Sequence, residues 1–331
     1  MPVPRGDKAD GLFHRFRAMK WTVCFAVFSL AAASPAGFSL KDEPGKHLEV
    51  LLDGRVVGRY MYAYDKSTPQ ALNETYKPYL HVFDAEGKGP ITKGVGGGYP
   101  HHRGIFAGWN RLTCGGKSYD LWGMGGGHQV HQKFTGQKAE DAQAVFTSLV
   151  HWNDNGGRTL VEEERTMAFR RAPAPAHVLV DFTTSIKAAA EDIVLNGDPE
   201  HAGVQYRPAN EVDPKATVYV FPREGADPKK DVDYPWVGET YSLGGRKYSV
   251  VILNHPSNPK STKFSAYRDY GRFGASFKAE VKSGQALPLK YRFLVAEGEM
   301  PAAETVQSWC NDFTGGKDPA PKTTVIPAAK K

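Results

Sequence analysis

The sequence predicts an all-β protein, built as a large antiparallel β-sandwich of the supersandwich type with one C-terminal helix. Short stretches of alternating or β-branched residues recur along the chain, and Gly, Asp, Asn and Pro separate them. No alternation of strands with helical patterns and no repeat of fixed period accompanies these stretches. The 331 residues, 40% apolar and 24% charged, suffice for a large globular domain. We therefore expect a single sandwich domain over residues 47–313.

The N-terminus has the pattern of a secretory signal. Basic residues precede an apolar run at 21–33, and small residues, AAASPAG, end the run. This run is too short to cross a bilayer comfortably as a helix. We predict a signal peptide over residues 1–36, with Met19 as an alternative start. The mature protein is then exported, periplasmic or secreted, without a membrane partner, and residues 37–46 form a polar linker.

Turn residues indicate where the predicted strands after this linker begin and end. Asp53 and Gly54 separate two apolar stretches, which is the pattern of a two-residue hairpin turn over 47–65. The sequence NDNGGR at 153–158 is a second turn signal. The segment RAPAPA at 171–176 cannot lie inside a helix. Further predicted strands cover 79–83, 105–109, 118–122, 145–152, 159–171, 177–186, 204–207, 217–221, 247–253, 273–278 and 287–295.

One helix is predicted, over residues 301–313. Pro301 is suited to its first turn, Glu304 is acidic near its start, and Gly315 follows its end. Residues 314–331 are rich in Pro, Ala and Lys, so we predict a disordered tail there.

Charge, glycine and cysteine patterns exclude several functions. The formal net charge is +6, but basic residues are scattered among 36 acidic ones, so no nucleic-acid partner is predicted. The glycines at 96–98 lack the Lys-Ser/Thr of a phosphate-binding loop, and no G-x-S-x-G serine motif is present. Cys114 and Cys310 remain after signal removal and could pair in an oxidising compartment, although their spacing alone does not establish a disulfide.

Residues 94–134 concentrate the side chains that carry chemistry. This stretch holds four of the eleven His and two of the six Trp, among many glycines. Such a set suits loops at the end of a rigid scaffold, where binding and catalytic residues are common. His101 and His102 are adjacent, so in an extended chain they point to opposite sides, and Arg103 shares the side of His101.

The segment HAGVQYR at 201–207 places His201, Gln205 and Arg207 on one face of a strand. That face either lines a cleft or is solvated, and the pattern alone does not decide. On the strand at 159–171, Glu163 and Arg165 share a face with apolar residues. We expect them to form a buried structural ion pair there.

Histidines from several segments raise the question of a metal. His128 and His131 are three residues apart, and in a strand they would point apart, so their spacing is a weak signal. His131 and His255 are predicted as acid partners or metal ligands. Asp120 would either orient an imidazole or serve as a turn residue. The cofactor prediction is a divalent metal ion or none, and the candidate ligands are His102, His131, His201 and His255.

Aromatic rings near imidazole and guanidinium suit a sugar, because its apolar ring faces stack and its hydroxyls form hydrogen bonds. The predicted partner is therefore a small-molecule carbohydrate. The predicted substrate-binding residues are Trp109, Asp120, Trp122, Gln205, Tyr267 and Tyr270. The predicted catalytic residues are His101, His102, Arg103, His131, His201, Arg207 and His255.

Several of these segments together resemble the PmoA-like family, a bacterial domain family of unknown function. They are YPHHRGIFAGW (99–109), SYDLW (118–122), HQVHQKF (128–134), HAGVQYR (201–207), HPSNPKSTKFSAYRDYGRFGASF (255–277) and LKYRFLVAEG (289–298). The resemblance implies an exported β-sandwich similar to the sugar-handling folds of the galactose mutarotase type. Many relatives carry an acidic residue where this chain has His201. The family label refers to a polytopic membrane subunit of methane oxygenase, whereas this chain has no predicted span after its signal.

These observations predict an exported carbohydrate-active enzyme that cleaves or modifies a glycoside or an oxidised (keto) sugar. His101 or His102 would act as general base on a C–H bond or a water. Arg103 and Arg207 would stabilise the developing oxyanion or enolate. The alternatives are a non-catalytic carbohydrate-binding protein, a mutarotase-like epimerase and, last, a metal oxygenase. A paired-carboxylate glycosidase is disfavoured because the motifs contain few carboxylates.

Overall fold

Strands are the main regular structure of the chain that the computed structural model describes, which is residues 36–329. In chain order the elements are β1 (Phe38–Glu43), β2 (His47–Leu52), β3 (Arg55–Met61), α1 (Pro69–Thr75), β4 (Tyr79–Val82), β5 (Ile105–Trp109), β6 (Arg111–Cys114), β7 (Lys117–Tyr119), β8 (Gly127–Ala139), β9 (Gln143–Asp154), β10 (Thr159–Arg170), β11 (Ala176–Ala188), β12 (Ile193–Asn196), β13 (Ala202–Tyr206), β14 (Val218–Phe221), β15 (Trp236–Leu243), β16 (Arg246–Asn254), β17 (Lys263–Phe264), β18 (Phe273–Ser276), β19 (Ala279–Val281), β20 (Ala286–Glu297), α2 (Ala303–Thr314) and β21 (Thr324–Pro327). The predicted signal peptide, apart from Ala36, lies outside the described residues.

The strands form three antiparallel sheets. The first has the order β1-β2-β3-β4-β5-β13-β18-β17, the second β21-β14-β15-β16-β20-β11-β10-β9-β8, and a small third sheet β19-β12-β6-β7. The two large sheets share one apolar core, and a hydrogen bond of 3.1 Å from Tyr60 in β3 to Ser148 in β9 links them. The prediction of an all-β antiparallel sandwich is confirmed.

Alternation along the strands decides which side chains enter the core. In β9 every second side chain from Ala144 to Trp152 is buried, as a period of two requires. On β10, Glu163 and Arg165 also point inward, and both side chains are fully buried. Their ion pair has an N–O distance of 2.8 Å, and Trp152 donates a further bond of 2.7 Å to the carboxylate. The predicted buried ion pair is therefore present.

Both ends of the described chain contain strands where the sequence predicted none. Residues 38–43, within the predicted linker, form β1 and pair with β2 along their whole length. Residues 324–327, within the predicted disordered tail, form β21 and pair with β14. Short polar strands give a weak sequence signal, because sheet pairing with distant residues stabilises them more than their own composition does.

The helix prediction was right at one place and incomplete at another. Helix α2 covers Ala303–Thr314, and Gly315 follows it in a left-handed conformation, as predicted for the stop. Helix α1 was not predicted. Its signals are short and local, since Pro69 lies in its first turn and the Thr68 hydroxyl caps it through the backbone N–H of Ala71. Neither described helix is long and apolar enough to span a membrane.

The two cysteines do not form a disulfide. Cys114 in β6 and Cys310 in α2 are both buried free thiols. They pack in two separate apolar clusters, so the pairing that the sequence left open is absent.

Strands β5 and β13 form the centre of the first sheet and position the loops of the candidate site. Gly203 in β13 has a φ of +87°, and a Cβ atom there would lie 1.8 Å from the carbonyl oxygen of Ala275 in β18. Only glycine permits this close approach. Beyond β5 and β13, backbone bonds join Lys93 to Arg207 and Arg207 to Gly104, at 3.0 and 2.9 Å. These bonds hold the loop before β5 against the end of β13.

Candidate functional site

A tight turn brings His101 and His102 together. The backbone N–H of His102 donates to the carbonyl of Tyr99 at 2.9 Å, and Tyr99 has a positive φ of 52°. The two imidazole centroids are 4.5 Å apart, and the His102 ring stacks on Tyr99 at 5.2 Å. The prediction that these histidines point to opposite sides was wrong, because the segment turns where an extended chain had been assumed.

Trp122 packs against this pair from the loop after β7. Its ring lies 5.8 Å from His102 and 4.8 Å from Phe106, and the side chain is 1% exposed. Asp120 accepts backbone hydrogen bonds from Trp122 and Gly123 at 3.0 and 2.8 Å. Of the two roles considered for Asp120, the structure supports the turn residue, which fixes the position of the indole.

His201 also packs against this indole, with ring centroids 6.1 Å apart. Its Nδ1 lies 2.7 Å from a carboxylate oxygen of Asp198, whose second oxygen accepts a bond of 2.9 Å from Asn110. Since an ionised carboxylate only accepts hydrogen bonds, Nδ1 carries a proton and Nε2 faces away from Asp198. The His201 side chain is 39% exposed, so a ligand can reach it.

Of the polar face predicted for β13, Gln205 and Arg207 are buried, whereas His201 is partly exposed. Gln205 is fully buried, and its side-chain oxygen accepts a bond of 2.9 Å from Arg272, which also donates to Ser265 at 2.7 Å. The Arg272 guanidinium lies 6.0 Å from the ring of Trp122 and 3.9 Å from Glu200. Gln205 therefore positions Arg272. The sequence predictions did not include Arg272, although it follows the predicted residue Tyr270 by two positions.

Arg207 anchors the loop that carries Tyr270. One guanidinium nitrogen donates to the carbonyls of Pro208 and Tyr270, both at 2.6 Å. The Tyr270 ring lies 5.0 Å from this guanidinium, 4.7 Å from the ring of Tyr99 and 6.0 Å from His102. Burial lowers the pKa of Arg207 to about 10. Arg207 thus contacts the same group of side chains, but its hydrogen bonds go to backbone carbonyl groups. We call this group the cluster, and its members are Tyr99, His101, His102, Trp122, His201, Arg207, Tyr270 and Arg272.

Glu200 lies at the partly exposed side of the cluster, next in sequence to His201. Tyr267 donates to it at 3.1 Å and Arg268 at 3.0 Å. The structure therefore gives the predicted sugar-binding residue Tyr267 a protein partner, and it adds a carboxylate that the sequence analysis did not name.

Two buried lysines were also missed. Lys77 donates to the carbonyl of Trp122 at 2.7 Å, and its ammonium lies 4.5 Å from the ring of Phe106. Lys93 donates to the carbonyl of Gly94 at 3.1 Å, and burial lowers its pKa to about 8. Isolated lysines normally belong to the surface, so composition gave no reason to select them. The apolar neighbourhood of Lys77, YKPYLHVF, was the one available signal.

Arg103 stabilises the turn at residues 99–102. It donates to the carbonyls of His102 and Asn73, both at 3.1 Å. Its guanidinium packs over the rings of Tyr76 and Tyr79, at 5.4 and 5.9 Å. Through these contacts Arg103 stabilises the loop, which argues against its predicted role in binding the oxyanion.

Burial and neighbouring cations keep both imidazoles of the turn neutral. The pKa of His101 is lowered to about 3, first by burial and then by Lys77 and other cations. The pKa of His102 is lowered well below its usual value, by burial and then by Arg272. Neutral imidazoles of such low basicity are poor proton acceptors near pH 7. This environment argues against the predicted role of His101 or His102 as general base.

Three predicted residues lie away from the cluster. His131 bonds through Nδ1 to Ser148 at 2.6 Å, at the edge of the core. His255 bonds to Ser257 at 2.7 Å beside α2. Trp109 is fully buried and donates to the carbonyl of Phe277 at 3.2 Å. Each side chain bonds to a partner outside the group around His102 and Trp122, so the structure does not bring these three residues into one site with the other candidates.

The predicted metal ligands are not assembled. Across residues 36–329, no three His, Cys, Asp or Glu side chains come close enough together to hold a metal ion. The reason is topological, because His131 is on β8 and His255 follows β16, both in the second sheet. The other two candidates, His102 and His201, flank β5 and β13 in the first sheet.

A cavity of about 360 Å³ adjoins the cluster at Lys77. Tyr79, His81 and Gly94 also line it. A Cβ atom on Gly94 would lie 3.5 Å from the His81 ring, so the absence of a side chain at this position keeps the cavity open. Volumes of this size are typical of small-molecule sites.

Three solved structures illustrate what the fold is similar to. The heparan sulfate lyase HepC from Pedobacter heparinus is 11% identical with a TM-score of 0.39, over 81% of this chain and 36% of that chain. The Slr1438 protein from Synechocystis is 10% identical with a TM-score of 0.38, over 82% and 100%. A galactose mutarotase-like protein from Lactobacillus casei is 9% identical with a TM-score of 0.31, over 79% and 100%. This chain thus spans about a third of the lyase.

Family membership rests on the sequence itself. No curated protein sequence matches the chain at a significant level. The family model that does match covers residues 47–310 and describes a family of unknown function, DUF6807. It agrees with the expectation of an uncharacterised family, but it does not confirm the PmoA-like label. The chain belongs to the family of unknown function DUF6807.

Proposed function

We propose that this protein is a carbohydrate-active enzyme that removes a proton from a sugar carbon next to a carbonyl group, with His201 as the general base. The observation that carries the proposal is the Asp198–His201 pair, 2.7 Å apart, beside a cluster of neutral imidazoles and buried cations. Acid–base chemistry by histidine and arginine was also the prediction from sequence. The present proposal assigns the base to His201 and not to a histidine of the 101–102 turn.

His201 has the geometry that a base requires. Asp198 accepts a hydrogen bond from Nδ1–H, which fixes the ring and directs Nε2 away from the carboxylate. The same interaction stabilises the imidazolium that forms after proton transfer. The ring is partly exposed, so a substrate carbon can come within reach of Nε2.

His101 and Arg272 are suited to the charge that develops on the substrate. A neutral imidazole of low pKa donates a hydrogen bond to an oxyanion without losing its own proton. His101 is partly exposed and neutral, so it can serve in this way. The Arg272 guanidinium, held by Gln205 and Ser265, supplies positive charge close by.

Removal of the proton leads either to elimination of the glycosidic oxygen or to reprotonation of the sugar carbon. His201 takes the proton, and the electron pair of the broken C–H bond moves through the carbon to the carbonyl oxygen, giving an enolate. When this pair returns, it can expel the glycosidic oxygen from the next carbon, forming a carbon–carbon double bond, and the imidazolium protonates the leaving oxygen. Alternatively, the enolate carbon recaptures a proton and the sugar is modified without cleavage.

The sugar ring would lie against Tyr99 and Tyr270. Both tyrosines are partly exposed, and their centroids are 4.7 Å apart at the rim of the cluster. Aromatic faces of this kind pack against the apolar faces of sugar rings. The signal pattern in the sequence supports the further proposal that the enzyme acts after export, in the periplasm or outside the cell.

Hydrogen exchange in heavy water tests the reaction. The protein is incubated in D₂O with keto-glycosides and uronides, and NMR follows deuterium at the carbon next to the carbonyl. We expect exchange or cleavage with the wild type and a loss of about a hundredfold or more in His201→Gln. His255→Gln, outside the cluster, is the matched control and should keep full activity. Full activity in a folded His201→Gln variant would exclude the proposed base.

A further inference from the structure

Five basic side chains are buried around the turn that carries His101 and His102. Their exposures are 0% to 2%, and they are Lys77, Lys93, Arg103, Arg207 and Arg272. Each of them lowers the pKa of His101 or of His102 by its charge. These groups therefore lie around one small volume, although they come from separate parts of the chain. Burial lowers the pKa of Lys77 well below its usual value, so Lys93 and the three arginines supply the positive charge there.

Near Arg207 and Arg272, neither Glu200 nor Glu239 forms a hydrogen-bonded ion pair with the two guanidinium groups within the described residues. Glu200 already accepts hydrogen bonds from Arg268 and Tyr267, and it lies 3.9 Å from Arg272. Glu239 is fully buried with neither carboxylate oxygen hydrogen-bonded within the described chain. Burial raises its pKa well above the usual value, and the charges of Arg207 and Arg272 act in the opposite direction. Isolated buried charges are costly, and a ligand of opposite charge would reduce that cost.

Unused hydrogen-bond donors accompany the excess of positive charge. Within residues 36–329, no partner accepts from Trp122 Nε1, from Arg207 Nε, or from Nε and Nη2 of Arg272. All these side chains are at least nine-tenths buried. A buried donor without a partner is unfavourable, so these groups are suited to an acceptor that a ligand supplies.

We infer that the substrate is a sugar acid, whose carboxylate binds among the buried cations beside Trp122 and Arg272. This inference rests on the proposed function and names the substrate class for it. A carboxylate fits the planar donors of arginine better than a neutral hydroxyl does.

The inferred carboxylate also agrees with the proposed chemistry. A proton next to a carboxylate is hard to remove, because the enolate would carry two negative charges. Cations fixed around the carboxylate stabilise that charge without reorganisation. A neutral sugar would leave the buried arginines without a ligand of opposite charge.

Binding of D-glucuronate, compared with D-glucose and with methyl D-glucuronate, tests the inference. Saturation-transfer NMR and calorimetry on the wild type require no variant. We expect glucuronate to bind about tenfold or more tightly than the other two, and added salt to weaken it. In Arg272→Gln that preference should fall about tenfold. Trp122→Phe, which keeps an aromatic ring, should lose a smaller part of it.

The outcomes separate this inference from the proposed function. If D-glucose or the ester binds as well as glucuronate, or if glucuronate does not bind, the inference is overturned. If a neutral keto-glycoside exchanges its proton while uronates neither bind nor exchange, the inference fails and the proposed function stands. If uronates bind through Arg272 but no sugar exchanges or is cleaved, the site is anion-selective and the proposed function fails.

Discussion

Asp198 and His201 form a carboxylate–imidazole pair at 2.7 Å, and Asn110 holds the other carboxylate oxygen at 2.9 Å. The backbone N–H of Glu200 also donates to Asp198, at 3.0 Å. The carboxylate is thus fixed by three groups, and the imidazole takes its orientation from it. This arrangement makes His201 the imidazole of the cluster that is best placed for proton transfer.

Asp198→Asn should lower turnover by about a hundredfold or more, because the amide no longer stabilises the imidazolium. The amide can also donate its N–H to Nδ1, which selects the other tautomer of His201. Nitrogen-15 NMR of the ring reports that tautomer independently of activity, and a pH–rate profile reports the altered base. Asp192→Asn, at an exposed position, is the control. An unchanged tautomer and pH profile would contradict this role.

Glu163→Gln should destabilise the fold by about 3–5 kcal/mol, since it leaves the fully buried Arg165 without its charge partner. The carboxylate also accepts from Trp152 and Thr184, both at 2.7 Å. Chemical unfolding measures the loss. Glu164→Gln, one position along on the exposed face of β10, should change stability by less than about 0.5 kcal/mol. Equal effects of the two substitutions would argue against a structural ion pair.

Gly203→Ala should be far more damaging than Gly244→Ala. Both glycines have positive φ, +87° and +59°. A Cβ atom at Gly203 would lie 1.8 Å from the Ala275 carbonyl oxygen, whereas nothing lies within 4 Å at Gly244. We expect Gly244→Ala to cost about 1–2 kcal/mol from backbone conformation alone. Gly203→Ala should cost more, because β13 and β18 must also separate. Thermal unfolding of both variants makes the comparison, and similar costs would refute it.

Acid should destabilise the protein partly through His81. Burial lowers its pKa to about 4 in the folded protein, whereas an unfolded imidazole titrates near about 6.5. The unfolded chain therefore binds more protons between these values, and the free energy of unfolding falls as the pH falls through that window. His81 contributes on the order of 3 kcal/mol to this loss.

His81→Gln should consequently reduce the slope of unfolding free energy against pH between about 6.5 and 4. Thr92→Val is the matched control, because it removes the 3.0 Å hydrogen bond to His81 but keeps the imidazole. It should lower stability at every pH and retain the slope. Denaturant unfolding at a series of pH values gives both quantities. An unaltered slope in His81→Gln would show that other groups carry the acid sensitivity.

The amino-acid sequence by itself determined the sandwich and much of its detail. Alternation in β9 and β10 set which side chains enter the core, including the pair Glu163 and Arg165. Local signals predicted α2, because a proline, an acidic residue and a glycine that ends the helix all lie within one short segment. The motif segments also contained His101, His102, Trp122 and His201, which the structure brings together.

Only the tertiary structure decided which of the candidate residues form one site. β5 pairs with β13 across about a hundred residues of sequence, and this pairing brings the 99–102 turn beside His201. The same folding leaves His131 and His255 elsewhere and buries Lys77 and Arg272 among rings. Strands β1 and β21 likewise exist because of their distant partners. Local sequence specifies local periodicity, whereas the convergence of side chains depends on long-range strand pairing, which no single segment encodes.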